Sequence, residues 1–70
     1  MARTFSGRRL CERRTANRLR HEHVAVVIGR SAATVHRYES GGIEPPANVL
    51  AALAAALDCR IDDLFEESAP

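Results

Sequence analysis

The sequence predicts one small all-α domain, and three observations support this prediction. A chain of 70 residues can build only a single hydrophobic core. Glycine and proline residues divide it into five short segments, and none of these alternates apolar and polar residues as a half-buried strand does. Apolar residues recur at helical spacing instead. We therefore expect a compact five-helix bundle in one domain, with an ordered core at about 6–66 and flexible ends at 1–4 and 67–70.

The first two predicted helices are short. Residues 6–18 form an arginine-rich helix whose main apolar anchor is Leu10, and Arg14 lies one turn later on the same face. Residues 20–28 form a second helix, which ends at Gly29 because glycine adopts a left-handed backbone at little cost.

The other three helices begin at capping or proline signals. The third runs from Ser31, a good N-cap residue, to about Ser40. The fourth follows Pro45-Pro46, since proline suits the start of a helix, and a short fifth covers 61–66. Their expected core residues are Leu50, Leu53, Ala54 and Leu57 from the fourth helix and Ile61, Leu64 and Phe65 from the fifth.

The second and third segments have the spacing of a helix-turn-helix. Two helices of about two turns each are joined by a tight turn at Gly29. Ala25 lies where the two axes would cross, and a larger side chain there would push the helices apart. The side chains expected to point inward are Val24, Ile28, Val35 and Tyr38.

Charge is distributed unevenly along the chain. Residues 1–37 contain nine arginines against Glu12 and Glu22, a balance of +7, whereas residues 38–70 contain Arg60 against seven acidic residues, a balance of −6. The basic half is expected to attract a polyanion, either nucleic acid or an anionic membrane. An ordinary solvated face is the alternative interpretation.

Several classes of function find no support in the sequence. Cys11 and Cys59 are far apart and form no CxxC, so we expect reduced thiols and neither a disulfide scaffold nor a zinc ribbon. His21 and His23 diverge on a helix, and we expect no metal site and no cofactor. The apolar stretches are too short to span a bilayer, which favours a cytoplasmic protein. No catalytic spacing indicates an enzyme or a small-molecule pocket.

From Gly7 to Phe65 the sequence resembles, without a gap, the phage repressor and Cro-type helix-turn-helix family. The resemblance implies a lambda-repressor-like domain of bacterial or phage origin that binds double-stranded DNA as a small transcriptional regulator of the repressor type, with residues 31–38 as a recognition helix in the major groove. It also implies a weak homodimer that pairs on a near-palindromic operator, and no membrane partner. The matching positions are Gly7, Leu10, Arg14, Leu19, Val24-Ala25, Ile28-Gly29, Ser31, Thr34-Val35, Glu39, Gly41, Pro45, Leu50, Leu53, Leu57, Ile61 and Asp62-Asp63-Leu64-Phe65.

The resemblance also assigns roles to individual residues. Base contacts would come from Ala32, Ala33, His36 and Arg37, and only Arg37 could form a bidentate contact to guanine. Phosphate contacts would come from Arg20, His21, Arg30, Ser31, Thr34 and Ser40, with long-range attraction from Arg8, Arg9, Arg13 and Arg18. Arg14 and Glu39 would form a structural ion pair, with two independent surface charges as the alternative. Dimer contacts would come from Asn48, Cys59, Arg60 and Asp62.

A second interpretation is a protein-interaction adaptor or an antitoxin-like module built on the same helices. Val26 and Val27 leave the second helix apolar nearly all round, and such a patch is either incidental or a partner surface. Electrophoretic mobility with duplex DNA at two salt concentrations separates the two interpretations, because binding through phosphates weakens steeply with salt.

Overall fold

The computed structural model describes residues 2–67, so residues 1 and 68–70 of the expected flexible ends lie outside the described residues. In chain order the elements are β1 (Arg3–Phe5), α1 (Gly7–Ala16), α2 (His21–Ile28), α3 (Ala32–Ser40), α4 (Ala47–Ala56), one 3-10 turn (Ile61–Leu64) and β2 (Phe65–Glu67). Helix α3 packs against both α1 and α2, and α4 packs against α2 and the 3-10 turn.

The prediction of five helices is wrong, because the described residues form four α-helices. Residues 61–64 make a single 3-10 turn, in which the Asp63 carboxylate accepts a hydrogen bond from the Arg60 backbone N–H at 2.9 Å. Phe65 then adopts an extended backbone and begins β2. Leu64 is fully buried as expected, but Ile61 is 41% exposed and does not enter the core.

A short strand pair, absent from the all-helical prediction, joins the two ends of the described chain. Strands β1 and β2 are antiparallel, with Thr4 opposite Glu66 and Phe5 opposite Phe65. The two phenylalanine rings meet edge to face with centroids 6.1 Å apart. Arg3 and Thr4, which the sequence placed in a flexible end, therefore lie in a paired strand.

The core follows the predicted helical spacing with one shift in α4. Leu10 of α1 is completely buried. Leu53 of α4 and Leu57, the residue that follows α4, are buried with Val49, which lies one turn before Leu53. Leu50, predicted in place of Val49, is only half-buried. The fully or nearly fully buried hydrophobic residues are Leu10, Val24, Ala25, Ile28, Val35, Tyr38, Val49, Leu53, Ala54, Leu57 and Leu64.

The helix-turn-helix forms as the local signals predict. Gly29 ends α2 with a left-handed backbone, φ +70°, and the Ser31 hydroxyl caps α3 by accepting the Thr34 backbone N–H at 3.2 Å. Ala25 is buried at the crossing of the helices. The four side chains expected to point inward from these helices are buried, which confirms the predicted packing.

Gly7 allows the first turn of α1 to approach the end of α3. A β-carbon at Gly7 would collide with the backbone carbonyl oxygens of Tyr38 and Glu39. Backbone atoms cannot swing aside as a flexible side chain can, so a glycine at this position lets α1 lie directly against α3.

A buried polar cluster links the first three helices. The Arg14 Nε of α1 donates to Oε2 of Glu39 in α3 at 2.6 Å, and Nη2 donates to Oε1 at 3.2 Å. The His21 Nε2 of α2 lies 3.1 Å from the same Oε1. Arg14 also donates from Nη1 to the Leu19 carbonyl at 2.9 Å. The Arg14 and Glu39 side chains are 11% and 9% exposed, respectively.

The cluster keeps Glu39 ionised. Burial would by itself raise the pKa of Glu39, but hydrogen bonds from Arg14 and His21 outweigh burial and hold this pKa below the ordinary glutamate value. The hydrogen bond to Glu39 also raises the pKa of Arg14. A charged pair, satisfied on both sides, therefore fixes α3 relative to α1 and α2.

We predict that Gly7→Ala lowers the free energy of unfolding by about 2 kcal/mol or more, since the added methyl group forces α1 away from α3. Urea unfolding followed by circular dichroism measures the change. Gly42→Ala is the matched control, because a β-carbon there meets only ordinary van der Waals neighbours. Equal stability of the two variants would show that the close approach of α1 and α3 is not constrained at Gly7.

We predict that Arg14→Ala costs about 3–5 kcal/mol at neutral pH, because it strands the buried Glu39 carboxylate. The folded pKa of Glu39 is lowered, so its stabilisation is complete above the unfolded glutamate pKa of about 4.3 and is lost as the pH falls further. The deficit of the variant should therefore shrink in acid, as measured by urea unfolding across pH.

Glu39→Gln added to Arg14→Ala is the control for this experiment, because it removes the stranded charge and should restore part of the stability. A loss below about 1 kcal/mol, unchanged between neutral and acidic pH, would instead mean that Arg14 and Glu39 act as independent surface charges.

Candidate nucleic-acid interface

The outer face of α3 carries a stripe of accessible side chains. Ala33, His36, Arg37 and Ser40 recur at helical spacing and are exposed, and Ala32 is half-buried at the start of the same stripe. All four residues expected to contact bases therefore lie on one side of the helix, opposite its buried face. Arg37 has no acidic partner among residues 2–67, so its guanidinium is available to a ligand.

Donors for an anion collect at the start of α2 and α3. Arg20 occupies the N-cap position of α2, is exposed and makes no capping hydrogen bond. Arg30, exposed in the turn before α3, donates a side-chain hydrogen bond to the neighbouring Gly29 carbonyl at 3.1 Å. The first backbone N–H groups of a helix have no intrahelical acceptor and favour an anion. Both helix starts thus combine an accessible guanidinium with the first backbone N–H groups of a helix.

The three hydroxyl groups expected at phosphates are already engaged within the protein. The Ser31 and Thr34 oxygens lie 3.0 Å apart, and the Ser31 oxygen also caps α3. The Ser40 hydroxyl donates to the Arg37 carbonyl at 3.1 Å. A phosphate needs a donor, so Ser40 would have to leave its helical partner in order to contact one. Of the residues expected at phosphates, Arg20 and Arg30 therefore have the more accessible hydrogen-bond donors.

His21, which was expected at a phosphate, faces the Glu39 carboxylate inside the protein. Its side chain is 20% exposed and its Nε2 faces the Glu39 carboxylate. Its ring also stacks on the His36 ring, with centroids 3.6 Å apart and planes inclined by 18°. The sequence could not indicate this pairing, because the residues are distant in the chain and meet only through the crossing of α2 and α3.

Among residues 2–67, five of the nine arginines in the basic first half of the chain contact carboxylates of the acidic second half. Three of the arginines expected to provide long-range attraction, Arg8, Arg9 and Arg13 of α1, contact carboxylates of residues 62–66, and Arg3 of β1 does so too. The closest nitrogen–oxygen distances are Arg3 to Asp62 3.9 Å, Arg8 to Glu66 2.7 Å, Arg9 to Glu66 3.7 Å and Arg13 to Asp63 3.6 Å, with Arg8 also 2.9 Å from Glu12. A groove of about 410 Å³ beside α1 is lined by Arg8, Arg9, Glu12, Arg13, Ala16 and Asp63.

The remaining arginines concentrate the free positive charge at the helix-turn-helix. Within residues 2–67, the arginines without an ion pair are Arg18, Arg20, Arg30, Arg37 and Arg60. Four of the five belong to α2 and α3 or to the segments that lead into them, and Arg60 precedes the 3-10 turn. The acidic segment at residues 62–66 lies against α1 and leaves the outer stripe of α3 accessible.

The residues expected at a dimer contact lie on two segments. Asn48 is exposed in the first turn of α4, and Arg60 and Asp62 are exposed at the 3-10 turn. Cys59 is half-buried against the core, and burial raises the pKa of its thiol. Cys59 is therefore the least accessible of the four.

Two further surface properties bear on partners. Val26 and Val27 on α2 are 81% and 62% exposed, the largest exposures among the bulky hydrophobic residues described. Across residues 2–67, histidine, cysteine and carboxylate side chains do not gather in groups of three or more that could hold a metal ion. In the same range, none of the helices has the length and apolar character needed to cross a membrane.

Known proteins share this fold over most of the chain. The P22 c2 repressor, solved in complex with a synthetic operator, is 30% identical with a TM-score of 0.81, and the match covers 87% of this chain and 92% of that chain. The restriction-modification controller protein C.AhdI from Aeromonas hydrophila is 36% identical with a TM-score of 0.79, covering 84% and 89% of the two chains.

A similar domain also occurs inside a larger enzyme. Hydroxypropylphosphonic acid epoxidase from S. wedmorenis is 28% identical with a TM-score of 0.80, but the match covers 90% of this chain and only 35% of that one. Curated proteins give no significant sequence match. A family model described as a helix-turn-helix domain matches residues 7–67. The chain therefore belongs to the helix-turn-helix domain family.

Proposed function

We propose that the protein binds double-stranded DNA in a sequence-specific manner, as a small transcriptional repressor that places α3 in the major groove. The observation that carries the proposal is the exposed stripe of α3 together with unpaired arginines before, between and on the two helices. The likeness to a repressor in complex with an operator and to a restriction-modification controller supports it. The likeness to the epoxidase is confined to 35% of that chain, so it supports a shared domain rather than a shared activity, and we propose no catalytic role.

Base recognition in this proposal depends mainly on Arg37. Its guanidinium is exposed and has no acidic partner within residues 2–67, and it can form two parallel hydrogen bonds to guanine O6 and N7. Ala32 and Ala33 can offer only methyl contacts to thymine. Direct readout is therefore narrow, and DNA shape and phosphate contacts supply much of the affinity.

Phosphate contacts come from the two helix starts. Arg20 at α2 and Arg30 with Ser31 at α3 present charge and N–H groups at the starts of the two helices. Arg18 adds a nearby exposed charge. These contacts fix the orientation of α3 in the groove without reading sequence.

The proposal includes a weak dimer that pairs on a near-palindromic operator. Two recognition helices reading successive major grooves would lie roughly 34 Å apart, one turn of DNA. Asn48, Arg60 and Asp62 are accessible for the contact between copies, and with few apolar residues among them we expect the pair to be stable only on DNA.

We predict that Arg37→Ala relaxes preference at one base position, whereas Arg20→Ala weakens binding to all duplexes alike and flattens the slope of log affinity against log salt by about one unit. Selection from a randomised duplex pool, followed by affinity titration at several salt concentrations, measures both effects. Arg13→Gln is the matched control, because Arg13 is engaged with Asp63, and it should leave base preference unchanged and the salt slope nearly so. Equal effects of all three substitutions would contradict the assignment of separate readout and anchoring residues.

We predict that the free protein sediments as a monomer or a weakly associating dimer and that two copies bind one operator duplex. Analytical ultracentrifugation of the protein alone, and of the protein with a selected duplex, measures the stoichiometry. A tight dimer without DNA, or one copy on a palindromic duplex, would overturn this part of the proposal.

A second candidate function is contact with a protein partner through α2. Its support is the exposure of Val26 and Val27, since bulky apolar residues on a polar surface often mark interaction sites. Val26→Ser with Val27→Ser should leave duplex binding at its native level, because neither valine is among the residues proposed to contact DNA. If the native chain binds duplex DNA only weakly and without salt dependence, this candidate replaces the first.

A further inference from the structure

We propose that His21 is a positioning residue for base readout, whose ring holds the His36 imidazole in a fixed orientation on the outer stripe of α3. The inference rests on the proposed function, because His36 can read a base only if α3 enters the major groove. It changes the role of His21, which the family resemblance places at a phosphate, and it makes the two histidines one functional unit.

The stack joins two helices at the edge of the candidate interface. His21 is the first residue of α2, and His36 lies in the middle of the exposed stripe of α3. Their ring centroids are 3.6 Å apart and their planes are inclined by 18°, so the two imidazoles lie face on face. His21 is largely covered while His36 is exposed, and therefore the inner ring can serve as a platform for the outer one.

The His21 ring is itself held by a hydrogen bond to Glu39. The His21 Nε2 lies 3.1 Å from Oε1 of Glu39, and Arg14 fixes the same carboxylate through hydrogen bonds of 2.6 and 3.2 Å. A continuous set of contacts thus runs from the buried guanidinium of α1, through Glu39 and His21, to the exposed ring of His36. Each member of the series restricts the orientation of the next.

The hydrogen bond to Glu39 occupies one ring nitrogen of His21. An ionised carboxylate only accepts hydrogen bonds, so Nε2 must carry the hydrogen. Stacking uses the face of the ring and leaves this hydrogen bond intact, so His21 can bind Glu39 and support the His36 ring at the same time.

A fixed ring improves readout because a base contact depends on the direction of a ring nitrogen. An exposed histidine on a helix samples several rotamers, and immobilising a mobile side chain on binding costs affinity. The stack selects one ring plane before DNA arrives. His36 should therefore favour particular bases at one position, and it should lose this preference when its platform is removed.

The test compares base preference in a randomised duplex pool for the native chain, His36→Ala and two variants of His21. His21→Gln keeps an N–H donor for Glu39 but removes the ring, and His21→Phe keeps a ring but removes the donor. We expect His36→Ala and His21→Gln to lose about fivefold discrimination at the same base pair. His21→Phe should retain most of it, and all variants should keep the native salt slope. The double variant His21→Gln with His36→Ala should match His36→Ala alone, since His21 acts through His36.

Two results would overturn the proposal. Unchanged base preference in His21→Gln would show that the stack contributes nothing to readout. Uniformly weaker binding in both His21 variants, with a salt slope flatter by about one unit, would show that His21 contacts a phosphate after all.

A measurement without DNA separates this proposal from the proposed function. In NMR spectra of the free protein, ring protons of His36 should be shifted upfield by the His21 ring, and the shift should disappear in His21→Gln. Native stacking together with failure to bind any duplex would refute DNA binding and, with it, the readout role. Duplex binding without the ring shift would refute the positioning role alone.

Discussion

The buried contact of Arg14 with Glu39 is the constraint on which the rest of the structure depends. Helices of eight to ten residues have little stability alone, so their mutual orientation must come from tertiary contacts. Glu39 belongs to α3 but accepts hydrogen bonds from α1 and α2, and Gly7 lets α1 approach the same end of α3. The inner face of α3 is thereby fixed, and its outer face is directed away from the molecule.

The folded chain redistributes charge in a way that bears directly on function. The acidic segment near the C-terminus contacts the arginines of β1 and α1, so most of the excess positive charge there is cancelled within the molecule. In the described part of the chain, accessible guanidinium groups without an ion pair remain mainly around α2 and α3. A duplex approaching the protein would therefore be attracted to the helix-turn-helix rather than to the whole basic half of the sequence, and this supports orientation as well as affinity.

Local signals in the sequence predicted most of the helical fold, and long-range contacts account for what they missed. Glycine at the turn and serine at the start of α3 act through neighbouring backbone, so residues nearby suffice to place those elements. Strands β1 and β2 have three residues each, too few to show alternation, and they exist only because the chain ends meet. The stacking of His21 on His36 and the neutralisation of the α1 arginines likewise depend on tertiary proximity. Helical spacing could place exposed site residues such as Arg37 and His36 on the outer face of α3. It could not indicate that the His36 ring stacks on His21.

The fold alone does not establish the activity, since related domains occur in regulators and inside an epoxidase.

The central claim is that the outer stripe of α3 contacts the duplex. Mapping backbone and arginine side-chain NMR shifts while a selected duplex is added tests it most directly. We expect the changes to centre on α3 and on the starts of α2 and α3, with the groove beside α1 little affected. Changes centred on the α1 arginines, with α3 unaffected, would contradict it.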